Sequence, residues 1–106
     1  MSDEISVHAL AQRLMGEGGV LVLDVREPDE HATASLPDAM HIPMQDVPQR
    51  LAELPADRDI AVLCHSGRRS GIIVRFLRAN GFPRAINVAG GIDAWSLHVD
   101  PSVPRY

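Results

Sequence analysis

Strand-like and helix-like segments alternate along the 106 residues, which predicts an α/β domain on a mostly parallel sheet of about five strands. Two apolar runs carry the prediction. Val20 to Val25, broken only at Asp24, and Ile60-Ala61-Val62-Leu63 have the pattern of strands covered on both faces. A third observation is the helical spacing of Val7, Leu10, Ala11, Leu14 and Met15 between them and the amino terminus. The length suits one domain, residues 1–106, with a single core.

Ile5 belongs to a short first strand, and Ser6 caps the helix that follows. Gly16, Gly18 and Gly19 end that helix, and Val20 to Val25 forms the next strand. Pro28 suits the first turn of a short helix. Leu36-Pro37 and Ile42-Pro43 punctuate an extended passage with a short strand at His41-Ile42, because a residue before proline is biased away from helix. A helix is expected over Pro48 to Leu54, with Asp46 as its cap and Pro55 as its stop. After the strand at Ile60 to Leu63, a helix is expected from about Ser70 to Asn80, terminated by Gly81. Arg84 to Val88 reads as the last strand, Gly90-Gly91 as a turn and Ile92 to His98 as the last helix, before a tail containing Pro101 and Pro104.

Composition narrows the function classes. With 45% hydrophobic and 23% charged residues the chain has the balance of a water-soluble domain, and no apolar run approaches the roughly 20 residues of a membrane span. Met1-Ser2-Asp3-Glu4 is acidic and lacks the basic and apolar regions of a secretory signal, so a cytoplasmic location is expected. The net charge of −4 is unevenly spread: residues 1–59 carry twelve acids against four arginines, whereas residues 60–106 carry six arginines against Asp93 and Asp100. These arginines read first as ordinary solvated faces, and alternatively as a local attraction for a small anion. A nucleic-acid partner is not expected, since the protein is acidic and has only four aromatic residues. His8, His31, His41 and His98 lack metal-ligand spacing, so neither a metal nor a cofactor is expected.

The chain has one cysteine, in Cys64-His65-Ser66-Gly67-Arg68-Arg69-Ser70, between the carboxyl end of a strand and the amino end of a helix. Backbone N–H groups and the helix dipole attract anions there. A free thiol with a pKa of about 8.5 is only a few per cent thiolate at neutral pH, and helix N-termini and arginines lower that pKa. Gly67 lets the backbone curl and point several amides inward, so the loop suits both a sulfur anion and a bound anionic ligand. A lone cysteine cannot close an internal disulfide, so thiol chemistry here is completed by an outside partner.

This loop resembles the active-site loop of rhodanese-type sulfurtransferases. Leu23-Asp24-Val25-Arg26-Glu27-Pro28 resembles that family's first signature, and Val88-Ala89-Gly90-Gly91-Ile92-Asp93-Ala94-Trp95 its carboxy-terminal one. The three motifs stand in the family's order and cover nearly the whole chain. The resemblance implies a rhodanese-like three-layer domain, with a five-stranded parallel sheet flanked by helices on both faces. It also implies a cysteine that takes sulfane sulfur from a small anionic donor such as thiosulfate and passes it to cyanide, a thiol or a protein acceptor. Carried onto this chain, Cys64 is the nucleophile and persulfide carrier, and the amides of residues 65–69 stabilise developing charge. His65, Ser66, Gly67, Arg68 and Arg69 then form the substrate-binding loop, with Arg69 on the anionic donor and Arg68 pointing outward. The side chain of His65 is expected to face solvent. Asp24 and Arg26 are supports, and Trp95 with Gly90-Gly91 serves packing and backbone geometry. One passage departs from the family: a common glycine-histidine-isoleucine-proline-glycine-alanine stretch is replaced by Ala34-Ser35-Leu36-Pro37-Asp38-Ala39. Altered geometry near the rim of the site is expected from it. The tail from Val99 to Tyr106 resembles the end of rhodanese domains attached to adenylating enzymes of sulfur-carrier pathways.

Three other readings stand beside this one. A phosphatase or arsenate reductase uses a cysteine-arginine loop with five residues between the two, whereas four separate Cys64 from Arg69, and Ser70 takes the place of such an arginine. A non-catalytic interaction module of the same fold needs no cysteine, which this chain retains. A redox sensor needs an external thiol to resolve an oxidised Cys64.

Overall fold

The computed structural model describes residues 3–16 and 19–106. Its elements follow in the order β1 (Glu4–Ile5), α1 (Val7–Met15), β2 (Leu21–Asp24), α2 (Pro28–Thr33), β3 (Met40–His41), two 3-10 turns (Met44–Gln49 and Leu51–Glu53), β4 (Ile60–Leu63), α3 (Arg68–Ala79), β5 (Ala85–Val88) and α4 (Gly91–His98). All five strands are parallel in the order β1-β5-β4-β2-β3.

Apolar β4 lies in the middle because both of its faces find cover. Val62 joins Leu23, Ile73, Val74 and Leu77 under α3 and the 3-10 turns. Ala61 and Leu63 join Val7, Leu10, Ile92 and Trp95 under α1 and α4. Successive strand residues point to opposite faces, so one apolar run feeds two cores and the domain has three layers. The Ser6 hydroxyl caps α1 by accepting from the Ala9 amide at 3.1 Å.

Two expectations are corrected. The segment expected as a helix over Pro48 to Leu54 is two 3-10 turns beginning at Met44, ahead of the expected cap Asp46. Pro48 lies inside the first turn, where it has no amide to donate and its ring opposes α-helical continuation. Helix α3 starts at Arg68 rather than near Ser70, so Arg68 and Arg69 occupy its first turn. Gly18, one of the three glycines expected to end α1, lies outside the described residues. Among the described residues no helix is long and apolar enough to cross a membrane, and no cluster of His, Cys, Asp or Glu suits a metal ion.

Candidate active site

Parallel strands end at one edge of the sheet. In register, Asp24 of β2 lies beside Leu63 of β4 and His41 of β3, so the chain leaves β4 into Cys64 next to the ends of its neighbours. The loop from Cys64 to Gly67 turns over this edge and enters α3.

Two glycines make the turn possible. Gly67, the N-cap of α3, sits at φ 98°, in the left-handed region, and its amide donates back to Cys64 Sγ at 3.1 Å. Gly91 sits at φ 61°, and a Cβ there would fall onto the carbonyl oxygens of Cys64 and His65. Those carbonyls come close because the first turn of α4 pins them: Ile92 N–H donates to Cys64 O at 2.9 Å and Asp93 N–H to His65 O at 3.0 Å. The loop is thus held at the amino ends of two helices, with its amides free to face the sulfur.

Cys64 is fully buried. Burial pushes its thiol pKa up, but donation to the sulfur, by the Ser70 hydroxyl when it turns from Asn87 and by the amides of Ser70, Gly67 and Ser66, pulls it further down, so the net shift is below the ordinary value. Ser70 Oγ lies 3.3 Å from Sγ and donates to Asn87 Oδ1 at 2.5 Å. Asn87 in turn donates to Gly67 O at 3.0 Å and to Glu4 at 3.3 Å. With no sulfur surface open to solvent, a reagent reaches Sγ only when neighbouring groups shift.

Arg69 projects from the first turn of α3 into a two-pronged ion pair with Glu30 of α2, Nη1 to Oε1 at 2.6 Å and Nη2 to Oε2 at 2.9 Å. Hydrogen bonds from Arg69 hold the Glu30 pKa down at about 2 against a smaller opposing effect of burial, and Glu30 raises that of Arg69. The Tyr106 hydroxyl donates to Glu30 Oε2 at 2.9 Å and accepts from Arg26 Nη1 at 2.9 Å. The Tyr106 ring meets His65 edge-on at 4.4 Å between centroids. His65 is therefore half-buried against the tail rather than facing solvent as expected, and its Nδ1 is buried without a partner. Ser66 and Arg68 are exposed.

Asp24 and Arg26 are both fully buried. The carboxylate accepts from Arg26 Nε at 2.9 Å, Nη2 at 2.6 Å and the Arg26 amide at 3.1 Å. The guanidinium also donates to the carbonyls of Glu30 and Ala34. Burial opposes the charge on Asp24, yet the Arg26 and His31 hydrogen bonds outweigh it and leave the carboxyl pKa lowered. A buried arginine with all these partners fixes the route from β2 through α2, and thereby where Glu30 stands. Asp38, in the passage that departs from the family, sits at φ 63°. It takes the place of that stretch's second glycine while keeping the left-handed turn.

Glu30, Asn87 and Tyr106 were not among the site residues read from the sequence. A signal existed for Asn87, a polar residue inside the apolar strand Ala85-Ile86-Asn87-Val88. Glu30 gave none, because its spacing after Glu27 reads as a local capping box, which it also forms.

The family model for the rhodanese-like domain matches residues 6–98. The chain belongs to the rhodanese-like domain family. A sulfurtransferase of Allochromatium vinosum is 42% identical to it over 103 residues, covering 97% of this chain and 96% of that one. The putative sulfurtransferase YtwF of Bacillus subtilis is 36% identical over 98 residues, 92% of this chain and 94% of its own. The crystal structure of a rhodanese-like domain protein from Staphylococcus aureus superposes with a TM-score of 0.86 at 32% identity, over 100% of this chain and 99% of that one. These likenesses support sulfur transfer as the reaction class of this rhodanese domain.

Proposed function

We propose that the protein moves sulfane sulfur through a persulfide on Cys64, with thiosulfate as a competent donor and cyanide, a small thiol or a protein thiol as acceptor. The observation that carries this reading is the sulfur's seat, where Sγ accepts the Gly67 amide at 3.1 Å in a loop held at the amino ends of α3 and α4. Such a seat favours the thiolate and, after transfer, a terminal sulfur anion in the same loop. The Cys64 thiolate attacks the outer sulfur of thiosulfate, an S–S bond forms as the donor's S–S bond breaks, and sulfite leaves with the electron pair. A nucleophile then takes the outer sulfur, and the thiolate returns.

The amides of residues 65–69 stabilise the sulfur anion. Arg69 assists the donor from the rim once its contact with Glu30 loosens, and Arg68 adds to the local field. With one cysteine the cycle needs a second molecule to accept the sulfur.

Thiosulfate:cyanide transfer measured beside p-nitrophenyl phosphate hydrolysis on one preparation tests the reading. Thiocyanate production without phosphate release is expected. Phosphate release without thiocyanate would replace it with oxyanion hydrolysis, and neither product would point to a binding module.

A further inference from the structure

The hydroxyl beside the catalytic sulfur has one proton and two neighbours that compete for it. Asn87 is oriented unambiguously, since its Nδ2 faces the Gly67 carbonyl at 3.0 Å and the Glu4 carboxylate at 3.3 Å. Turning the amide over would set Oδ1 against both acceptors. Oδ1 therefore faces Ser70, and because a carbonyl oxygen only accepts, Ser70 gives its one proton to Asn87. What Ser70 turns toward Cys64, 3.3 Å away, is a lone pair. A lone pair welcomes S–H and repels S⁻. Both Ser70 and Asn87 are more than nine-tenths buried, so bulk water does not replace either partner freely.

We propose that Asn87 is a positioning residue for the thiol: by holding the only proton of Ser70, it keeps that hydroxyl turned away from Cys64 and opposes ionisation of the sulfur. When the thiolate forms, the hydroxyl helps it only by leaving Asn87, and Oδ1 is left without a donor. Resting on the persulfide reading, one consequence follows: once sulfur is loaded, the charge sits on the outer atom, Sγ is neutral, and Ser70 returns to Asn87. Asn87 thus favours the loaded form over the bare thiolate.

Charged groups around the loop are the same in every comparison that tests this. They are Arg68 of α3, Arg69 of α3 paired with Glu30 of α2, Glu4 of β1 beyond Asn87, and Asp93 of α4 paired with Arg105, with His65 as the titratable group within the loop itself.

The experiment follows thiolate absorbance in the ultraviolet against pH, with iodoacetamide alkylation rates as a second readout, on the full chain. Parent, Asn87→Ala, Ser70→Ala and the double variant are compared. Asn87→Ala is expected to lower the titration midpoint, giving about five- to tenfold more thiolate below it, the size of one released hydrogen bond. In the Ser70→Ala background the same change is expected to leave the midpoint where it was. Asn87→Val, which suits a buried strand and also lacks an acceptor, repeats the test if alanine loosens β5. An unmoved or raised midpoint, or an equal shift without Ser70, overturns the proposal. No sulfur transfer enters the measurement, so its outcome is independent of whether Cys64 carries a persulfide.

Discussion

Replacing Glu30 with glutamine removes one charge from the rim while keeping the side chain's length. The carboxylate receives both Arg69 prongs, the Tyr106 hydroxyl and the Glu27 amide. Arg69, the strongest of these, holds the carboxyl at about 2 against an ordinary 4.5. At about 1.4 kcal/mol for each pH unit, that gap sets a ceiling of roughly 3 kcal/mol. The Arg69 side chain is 34% exposed, so water screens the pair and about 1–2 kcal/mol is the working figure. A lowered carboxyl pKa stabilises the fold above its unfolded value, and the contribution drains away as pH falls from about 4.5 toward 2. Urea unfolding followed by fluorescence of the buried, sole tryptophan, Trp95, is the assay. The parent is expected to exceed Glu30→Gln by about 1–2 kcal/mol at pH 7, with the gap closing through pH 4 to pH 3. Other acids titrate in both proteins, so the difference isolates Glu30. A gap of equal size at both pH values, or none at pH 7, would refute the reasoning.

Further outcomes are expected in transfer kinetics and in stability. Arg69→Ala raises the KM for thiosulfate several-fold while exposed Arg75→Ala leaves it near the parent's, and Glu30→Gln lowers it by freeing the guanidinium; equal effects of the two arginines would mean that diffuse charge attracts the donor. Asp38→Gly stabilises the fold by about 0.5–1 kcal/mol in thermal or urea unfolding, because glycine takes the left-handed turn at φ 63° without steric cost; a loss of stability would show that the aspartate side chain holds the turn.

The order of strands and helices was legible because each strand is an apolar run bounded by turn residues, as in Ile60 to Leu63 before the cysteine loop. The seat of Cys64 was legible too, since a strand, a glycine-bearing loop and a helix in succession fix where the amides point. Pro48 misled because a proline at the start of an apolar run suits a helix start, and only the packing of Val47 into the core shows that the turn begins before it. The pairing of Arg69 with Glu30 lay beyond the sequence for a different reason. It joins residues 39 positions apart, and depends on Arg26 fixing α2 against the end of β2. Tyr106 is 80 positions from Arg26, and nothing local to the tail points to that bond. Spacing along the chain reveals what one element does, and the rim of this site is assembled from three.

Intact mass of the whole chain after incubation with thiosulfate, or with other sulfane donors, tests the central claim most directly. One added sulfur, removed by cyanide and absent from Cys64→Ser, is the predicted result. An unchanged mass with every donor, or the same adduct on Cys64→Ser, would contradict it.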